Sequence, residues 1–124
     1  MNLLVDTHIL LWWLAGDTHL PPMAHRAISD PQNTAVVSAA TLWEASIKSA
    51  IGRLRVHDSL PDAVRADGFD LLAITANHAW AAGALPRHHT DPFDRMLIAQ
   101  AQIEDLPIIT NDEVFDGYGV TRLW

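Results

Sequence analysis

Four acidic side chains are placed where an alternating strand–helix chain would bring them together. Asp6 directly follows the apolar run at 3–5, and Glu44 lies just inside the helix that follows a second apolar run. Asp94 opens another helix, and Asp112 follows a third apolar run. In open parallel sheets, ligands bind outside the carboxyl ends of the strands. Carboxylates gathered there repel each other unless a cation neutralises them, so the pattern indicates a divalent-metal site suited to phosphate chemistry.

Each of these acids also has a purely structural explanation. Asp6 and Asp112 can cap short helices, and Asp94 can favour a helix dipole from the first turn. Glu44 can form an ion pair with Lys48, four residues further along its helix. However, the chain has 15 acidic residues and only 8 Lys and Arg together, so most acids lack an obvious partner. We therefore favour a shared metal role.

The composition predicts one globular domain over residues 1–124. The absence of cysteine excludes disulfides and thiolate metal sites, which agrees with a cytoplasmic protein. A net charge of −7 is unfavourable for holding nucleic acid, but cations bound at the acidic site would offset part of it. The apolar segment 9–15 is too short to span a membrane, so we expect a buried or interface helix and no membrane association.

Strand-like and helix-like segments alternate along the chain, which favours a parallel sheet covered on both faces. We predict a three-layer α/β/α sandwich with a central, mainly parallel sheet of about five strands. The predicted strands are 2–5, 34–37, 70–74, 107–110 and 119–124. The predicted helices are 7–15, 21–30, 39–51, 60–66, 76–84 and 92–104.

Four segments carry a family resemblance: Leu4-Val5-Asp6-Thr7, the acid Glu44 in the helix after the second strand, Asp94-Arg-Met-Leu-Ile-Ala-Gln-Ala, and Ile-Thr-Asn-Asp112. In this order and spacing, across essentially the whole chain, they resemble the PIN domain. More narrowly, they resemble a VapC-type toxin of a bacterial type II toxin–antitoxin pair. The resemblance implies a Mg²⁺- or Mn²⁺-dependent endoribonuclease that a VapB-type antitoxin holds inactive.

The resemblance also implies roles for single residues. Asp6, Glu44 and Asp94 match the family's three principal acids, and Asp112 matches its more variable fourth acid. Thr7 matches a hydroxyl that often supports the first acid. The sequence departs from the family at position 8, where a histidine stands instead of asparagine or serine, and this bears on substrate details. We expect one or two metal ions to activate water against RNA of the tRNA or rRNA class, leaving a 5′-phosphate and a 3′-hydroxyl.

Other side chains are secondary candidates. Four arginines can contact the RNA backbone, because guanidinium matches phosphate geometry, although each can equally be a solvated surface charge: Arg53, Arg55, Arg87 and Arg95. His88 and His89 can contact phosphate or protonate a leaving group, but a loop histidine is more often simply solvated. Asp91 is expected to be a helix cap first and a support for the site second.

Some tryptophans are expected in the core, and others are candidates for an interface with another protein chain. Trp12 and Trp13 lie in a helix that is apolar nearly all round, which indicates either core packing alone or an additional homodimer or antitoxin interface. We expect Trp43 and Trp80 to be core residues.

Two other classes of protein remain as alternatives. A phosphoacceptor receiver domain has a similar length and an acidic Mg²⁺ site, but it needs an acidic pair after the first strand and a lysine after the fifth. Here Asp6 stands alone, and Lys48 lies within a helix. A catalytically inactive, antitoxin-binding PIN domain is the second alternative, and the complete set of acids argues against it.

Overall fold

A parallel sheet forms the centre of the fold. The computed structural model describes residues 1–52 and 59–124. Its strands are β1 (Asn2–Val5), β2 (Thr34–Ser38), β3 (Asp70–Leu72) and β4 (Ile108–Ile109), in the spatial order β3-β2-β1-β4 and parallel throughout. The order reverses beside β1, since β2 and β3 lie on one side of it and β4 on the other. In such sheets the crevice at the reversal is the usual ligand position.

Helices cover the sheet. They are α1 (Thr7–Ala15), α2 (Pro22–Ser29), α3 (Ala39–Ala50), α4 (Leu60–Ala66), α5 (Ala76–Ala84) and α6 (Pro92–Glu104), followed by a 3₁₀ helix at Glu113–Tyr118. Local chemistry explains several helix starts: the side chains of Ser38, Thr75 and Asp91 each accept a hydrogen bond from the first turn of the helix that follows. These bounds agree with the predicted helices to within a residue or two.

The core lies in two apolar layers on opposite faces of the sheet. Leu3 and Val5 of β1 belong to one layer, and Leu4, between them, belongs to the other. This alternation is what a strand buried on both faces requires. The first layer packs on α1, α2 and α4, and the second on α6 and the 3₁₀ helix. The predicted α/β/α architecture is confirmed.

The prediction for the last strand needs adjustment. The expected strand at 119–124 is reduced to one parallel bridge between Arg122 and Ile108, so the described residues form four strands rather than about five. Gly119 takes a left-handed φ of 72° to end the 3₁₀ helix, and the Arg122 guanidinium binds Asp116 at 3.0 Å. The Ile108 amide donates to Thr121 O and the Leu123 amide donates to Ile108 O, both at 2.9 Å, so the last residues lie alongside β4.

The prediction that Trp43 and Trp80 are core residues was wrong. Trp43 is 59% exposed and Trp80 is 85% exposed. Trp43 lies edge-on against Phe93, with 5.0 Å between ring centroids. Helical periodicity identified an apolar face on α3, but that face is not covered by another part of the described chain.

Trp12 and Trp13 are half-buried within the chain itself. Trp12 stacks on His19 with a centroid separation of 5.6 Å, and Trp13 meets Phe69 edge-on at 6.0 Å. Both pack against the first core layer. Core packing therefore accounts for part of the apolar surface of α1, as expected. No helix in the described residues is long and apolar enough to cross a membrane.

Candidate active site

Asp6 lies at the carboxyl end of β1, beside the reversal in strand order. Its side chain is 3% exposed, and it is the N-cap of α1. One carboxylate oxygen accepts a hydrogen bond from the Thr7 amide at 2.7 Å, and the other accepts one from the Thr110 hydroxyl at 2.8 Å. Both carboxylate oxygens are therefore held in a fixed orientation. The Thr7 hydroxyl contacts Thr41 Oγ1 at 3.1 Å, so the Thr7 main chain provides the direct support for Asp6.

Glu44 lies on the buried side of α3. Ser38 Oγ accepts from the Ala40 amide at 3.0 Å and starts the helix at the end of β2, which brings Glu44 over the same edge of the sheet. Glu44 is 9% exposed. Its Oε2 atom lies 3.1 Å from Lys48 Nζ, so the ion pair expected from the spacing is present. A metal role and this ion pair are compatible, because a carboxylate has two oxygens.

Asp94 lies in the first turn of α6. Asp91 Oδ1 accepts hydrogen bonds from the amides of Phe93 at 2.8 Å and Asp94 at 3.1 Å, which confirms Asp91 as the helix cap. Asp94 Oδ2 lies 2.8 Å from His89 Nε2. Its side chain is 21% exposed. Asp94 therefore faces the site with its helix start and one carboxylate oxygen fixed by neighbours.

Electrostatics connects these three acids. Burial raises the pKa of Asp6, and the nearby charge of Glu44 raises it further, against the lowering effect of its two hydrogen bonds and of His8. Burial also raises the pKa of Asp94 to about 6, with added repulsion from Asp91 and Asp6, against the His89 hydrogen bond. The charge of Glu44 thus acts on Asp6 and the charge of Asp6 acts on Asp94, so a cation bound among them would relieve unfavourable repulsion.

Asp112 is on the same edge but in a more open position. It is exposed, and its Oδ1 atom accepts from the Val114 amide at 3.0 Å, so it caps the 3₁₀ helix. Its own amide donates to Thr110 Oγ1 at 3.0 Å, and the same hydroxyl donates to Asp6. Thr110 therefore links the end of β4 to the end of β1.

The donor set suits a hard divalent cation, although the side chains are not arranged around one. Carboxylate oxygens from two strand ends and two helices are the ligands that Mg²⁺ and Mn²⁺ prefer. Among residues 1–52 and 59–124, however, no three His, Asp or Glu side chains converge closely enough to hold a single ion as they stand. Asp6, Glu44 and Asp94 are each engaged by a neighbouring group instead.

Several secondary candidates can now be placed. Arg95 is 8% exposed and its guanidinium is bound to main-chain carbonyls, so the prediction that it contacts RNA backbone was wrong. Arg87 is exposed on the loop before α6. His88 is exposed and tilts against the Tyr118 ring at 5.3 Å. Arg53 and Arg55 lie outside the described residues.

Sequence reasoning missed two residues that support the site. Thr110 immediately follows β4 and is fully buried, and a hydroxyl at a strand end two residues before an acid was a usable signal. Tyr118 bonds the loop before α6 through its hydroxyl, at 2.8 Å from Pro86 O and 2.9 Å from the His89 amide. Nothing in the local sequence pointed to that contact, because the partners are about 30 residues apart.

Comparison with known proteins agrees with this geometry. The family model described as the PIN domain matches residues 3–120. The chain therefore belongs to the PIN-domain family. No curated protein matches.

Solved structures show the same fold at low identity. A chain of VapBC2 from Rickettsia felis, bound to a DNA fragment from its promoter, is 13% identical, with a TM-score of 0.69 over 99% of this chain and 98% of that one. A chain of FitAcB from Neisseria gonorrhoeae is 15% identical, with a TM-score of 0.71 over 98% and 96%. A chain of a toxin–antitoxin complex from Klebsiella pneumoniae is 23% identical, with a TM-score of 0.60 over 89% and 86%. The family match and these likenesses remove the support for the receiver-domain alternative.

Proposed function

We propose that this protein is an endoribonuclease that depends on Mg²⁺ or Mn²⁺ and serves as the toxin of a VapBC-type pair. The observation that carries the proposal is the placement of three largely buried acids, Asp6, Glu44 and Asp94, on the elements that meet at the strand-order reversal. A PIN-family fold with this set of acids favours hydrolysis of a phosphodiester over a purely structural role. The proposed substrate is RNA of the tRNA or rRNA class.

Asp6, Glu44, Asp94 and Asp112 would hold the metal. A divalent ion held by these residues would supply a water nucleophile at neutral pH and would stabilise the charge that develops on phosphate. The residues themselves set the geometry: Thr7 and Thr110 orient Asp6, Asp91 orients the start of α6, and Lys48 limits the freedom of Glu44. A protein nucleophile is not required in this scheme.

We also propose two protein partners. The first is a VapB-type antitoxin, which the toxin–antitoxin complexes among the structural relatives favour. A cavity of about 360 Å³ between α1 and α2, lined by Trp12, Trp13, Leu20 and His25, offers a site for an apolar antitoxin segment. A cationic antitoxin side chain that reached the acidic site would compete with metal.

The second partner is another copy of this chain. A cavity of about 240 Å³ adjoins the acidic site and is lined by Trp43, Ile74, Phe93 and Met96. Exposed aromatic and aliphatic side chains of this kind are enriched in homodimer interfaces. We therefore place the proposed homodimer contact on this face.

The direct experiment uses purified protein free of antitoxin. Structured RNA should be cleaved with Mn²⁺ or Mg²⁺, and cleavage should stop on addition of EDTA and resume when excess metal is restored. Equal cleavage in chelator would rule out the metal mechanism. Antitoxin binding without any cleavage, across a panel of tRNA and rRNA substrates, would instead support the inactive PIN-domain alternative.

A further inference from the structure

A buried guanidinium shapes the loop that joins α5 to α6. Arg95 is 8% exposed and donates to five main-chain carbonyls, at 2.9 to 3.4 Å. The acceptors are the carbonyl oxygens of Ala82, Gly83, Leu85, Pro86 and His89. A buried charge is costly unless it is fully hydrogen-bonded, and here neutral carbonyls supply all the acceptors. The arrangement therefore fixes the loop backbone.

Tyr118 completes the restraint from the other side of the loop. Its hydroxyl donates to Pro86 O at 2.8 Å and accepts from the His89 amide at 2.9 Å. Since Arg95 binds the His89 carbonyl at 3.0 Å, both main-chain polar groups of His89 are held by side chains, one of them 29 residues away along the chain. The side chains of Arg95 and Tyr118 thus both restrain the main chain of His89.

The side chain held in this way contacts the acidic site. His89 Nε2 lies 2.8 Å from Asp94 Oδ2, and both side chains are mostly buried, at 26% and 21% exposed. A carboxylate only accepts hydrogen bonds, so the imidazole must carry its proton on Nε2. The contact occupies Oδ2 and leaves Oδ1 as the oxygen to be presented to a cation.

We propose that His89 is a positioning residue for the acidic site, donating from Nε2 to fix the orientation of Asp94, while Arg95 and Tyr118 fix His89. The metal part of this inference rests on the proposed function. Hydrogen-bond partners of metal-binding side chains typically contribute a factor of about 10–100 in metal affinity. His89 therefore raises metal affinity without touching the ion.

The first test needs neither metal nor RNA. Nitrogen chemical shifts of the histidine rings, measured by NMR on the metal-free protein above the titration range of histidine, identify which ring nitrogen carries the proton. His89 should be the Nε2–H tautomer, and Asp94→Asn should perturb its signals more than those of His19, which lies against Asp17 instead. An Nδ1–H tautomer, or signals indifferent to Asp94→Asn, would overturn the contact.

The second test compares Mn²⁺ affinity by calorimetry. His89→Ala should weaken binding by about tenfold or more, whereas His89→Gln, whose Nε2 can reach a similar position and donate, should recover most of the affinity. His19→Ala removes a histidine that lies 2.6 Å from a different aspartate and should bind Mn²⁺ like the parent protein. Thermal unfolding of each variant checks that it is folded.

Outcomes of the second test separate the inference from the proposed function. Weaker Mn²⁺ binding in His89→Ala, with rescue by glutamine, supports positioning even if no RNA is cleaved. Unchanged affinity in a folded His89→Ala protein overturns it even if the parent cleaves RNA. Equal loss in the alanine and glutamine variants would also overturn it, because the donated hydrogen bond would not be the cause.

Discussion

At the scale of residues, the structure explains why the acids are more than helix caps. Asp6 and Asp94 both do the capping or dipole work that their positions predict, yet burial raises the pKa of each. A carboxylate that served only a helix start could stay exposed to solvent, where its charge interacts favourably with the helix dipole without the cost of burial. The role of these acids in a site was predictable from sequence, because Asp6 follows a strand and Asp94 lies in the first turn of a helix. The partners Thr110 and His89 are harder to predict, because a side-chain hydrogen bond depends on rotamers.

The raised pKa of Asp94 predicts how stability depends on pH. Its folded pKa of about 6 exceeds the ordinary aspartate value of 3.8, so the folded state binds this proton more tightly than the unfolded state does. The resulting stability is fully present below about pH 4 and is lost as the pH rises toward 6, remaining lost above it. With allowance for solvent screening, the loss is about 1–2 kcal/mol.

Urea unfolding of the metal-free protein from pH 4 to pH 7.5 measures this loss. Asp94→Asn cannot titrate there, so its stability relative to the parent should increase by that amount across the window. Asp62→Asn, a change of an exposed acid in α4, is the matched control and should keep a constant difference from the parent. A constant difference for Asp94→Asn would contradict the pKa assignment.

At the scale of elements, the bounds of the helices could be predicted from sequence. Whether another part of the chain packs on each apolar helix face could not. Each of three helices starts at a local N-cap, so the neighbouring sequence is enough to predict where it begins. These caps are Ser38, Thr75 and Asp91. The periodicity of α3 predicted an apolar face, but only the three-dimensional packing shows that Trp43 is left exposed. The last predicted strand was reduced in a similar way: residues 121–123 do hydrogen-bond to Ile108, but the pairing is limited to a single bridge at Arg122.

The uncovered face of α3 and α6 gives a prediction about assembly. If the face lined by Trp43, Ile74, Phe93 and Met96 is the homodimer contact, Trp43→Ser should shift sedimentation from dimer toward monomer at the same concentration. Trp80→Ser, which changes an 85% exposed tryptophan on α5 outside the lining of that cavity, is the comparison variant. A Trp43→Ser protein that remains fully dimeric would exclude this face, and a monomeric parent would exclude the homodimer.

At the scale of the whole molecule, strand order places the chemistry. Asp6 follows β1 and Thr110 follows β4, so the reversal in strand order brings residues 104 positions apart to one hydrogen bond. Alternation of elements in the sequence was enough to predict a parallel α/β sheet. It did not reveal which strands are neighbours, because crossover order is set by packing of distant helices. The PIN-domain match over residues 3–120 agrees with the predicted parallel α/β fold.

The most direct measurement of the central claim is RNA cleavage by matched variants at saturating Mn²⁺. Glu44→Gln and Asp94→Asn keep side-chain size but each remove one charge from the site. Since metal-ion catalysis contributes several kcal/mol of transition-state stabilisation, each variant should cleave roughly 100-fold more slowly or worse, while Asp62→Asn keeps the parent rate. Cleavage at the parent rate by both Glu44→Gln and Asp94→Asn would contradict this active site.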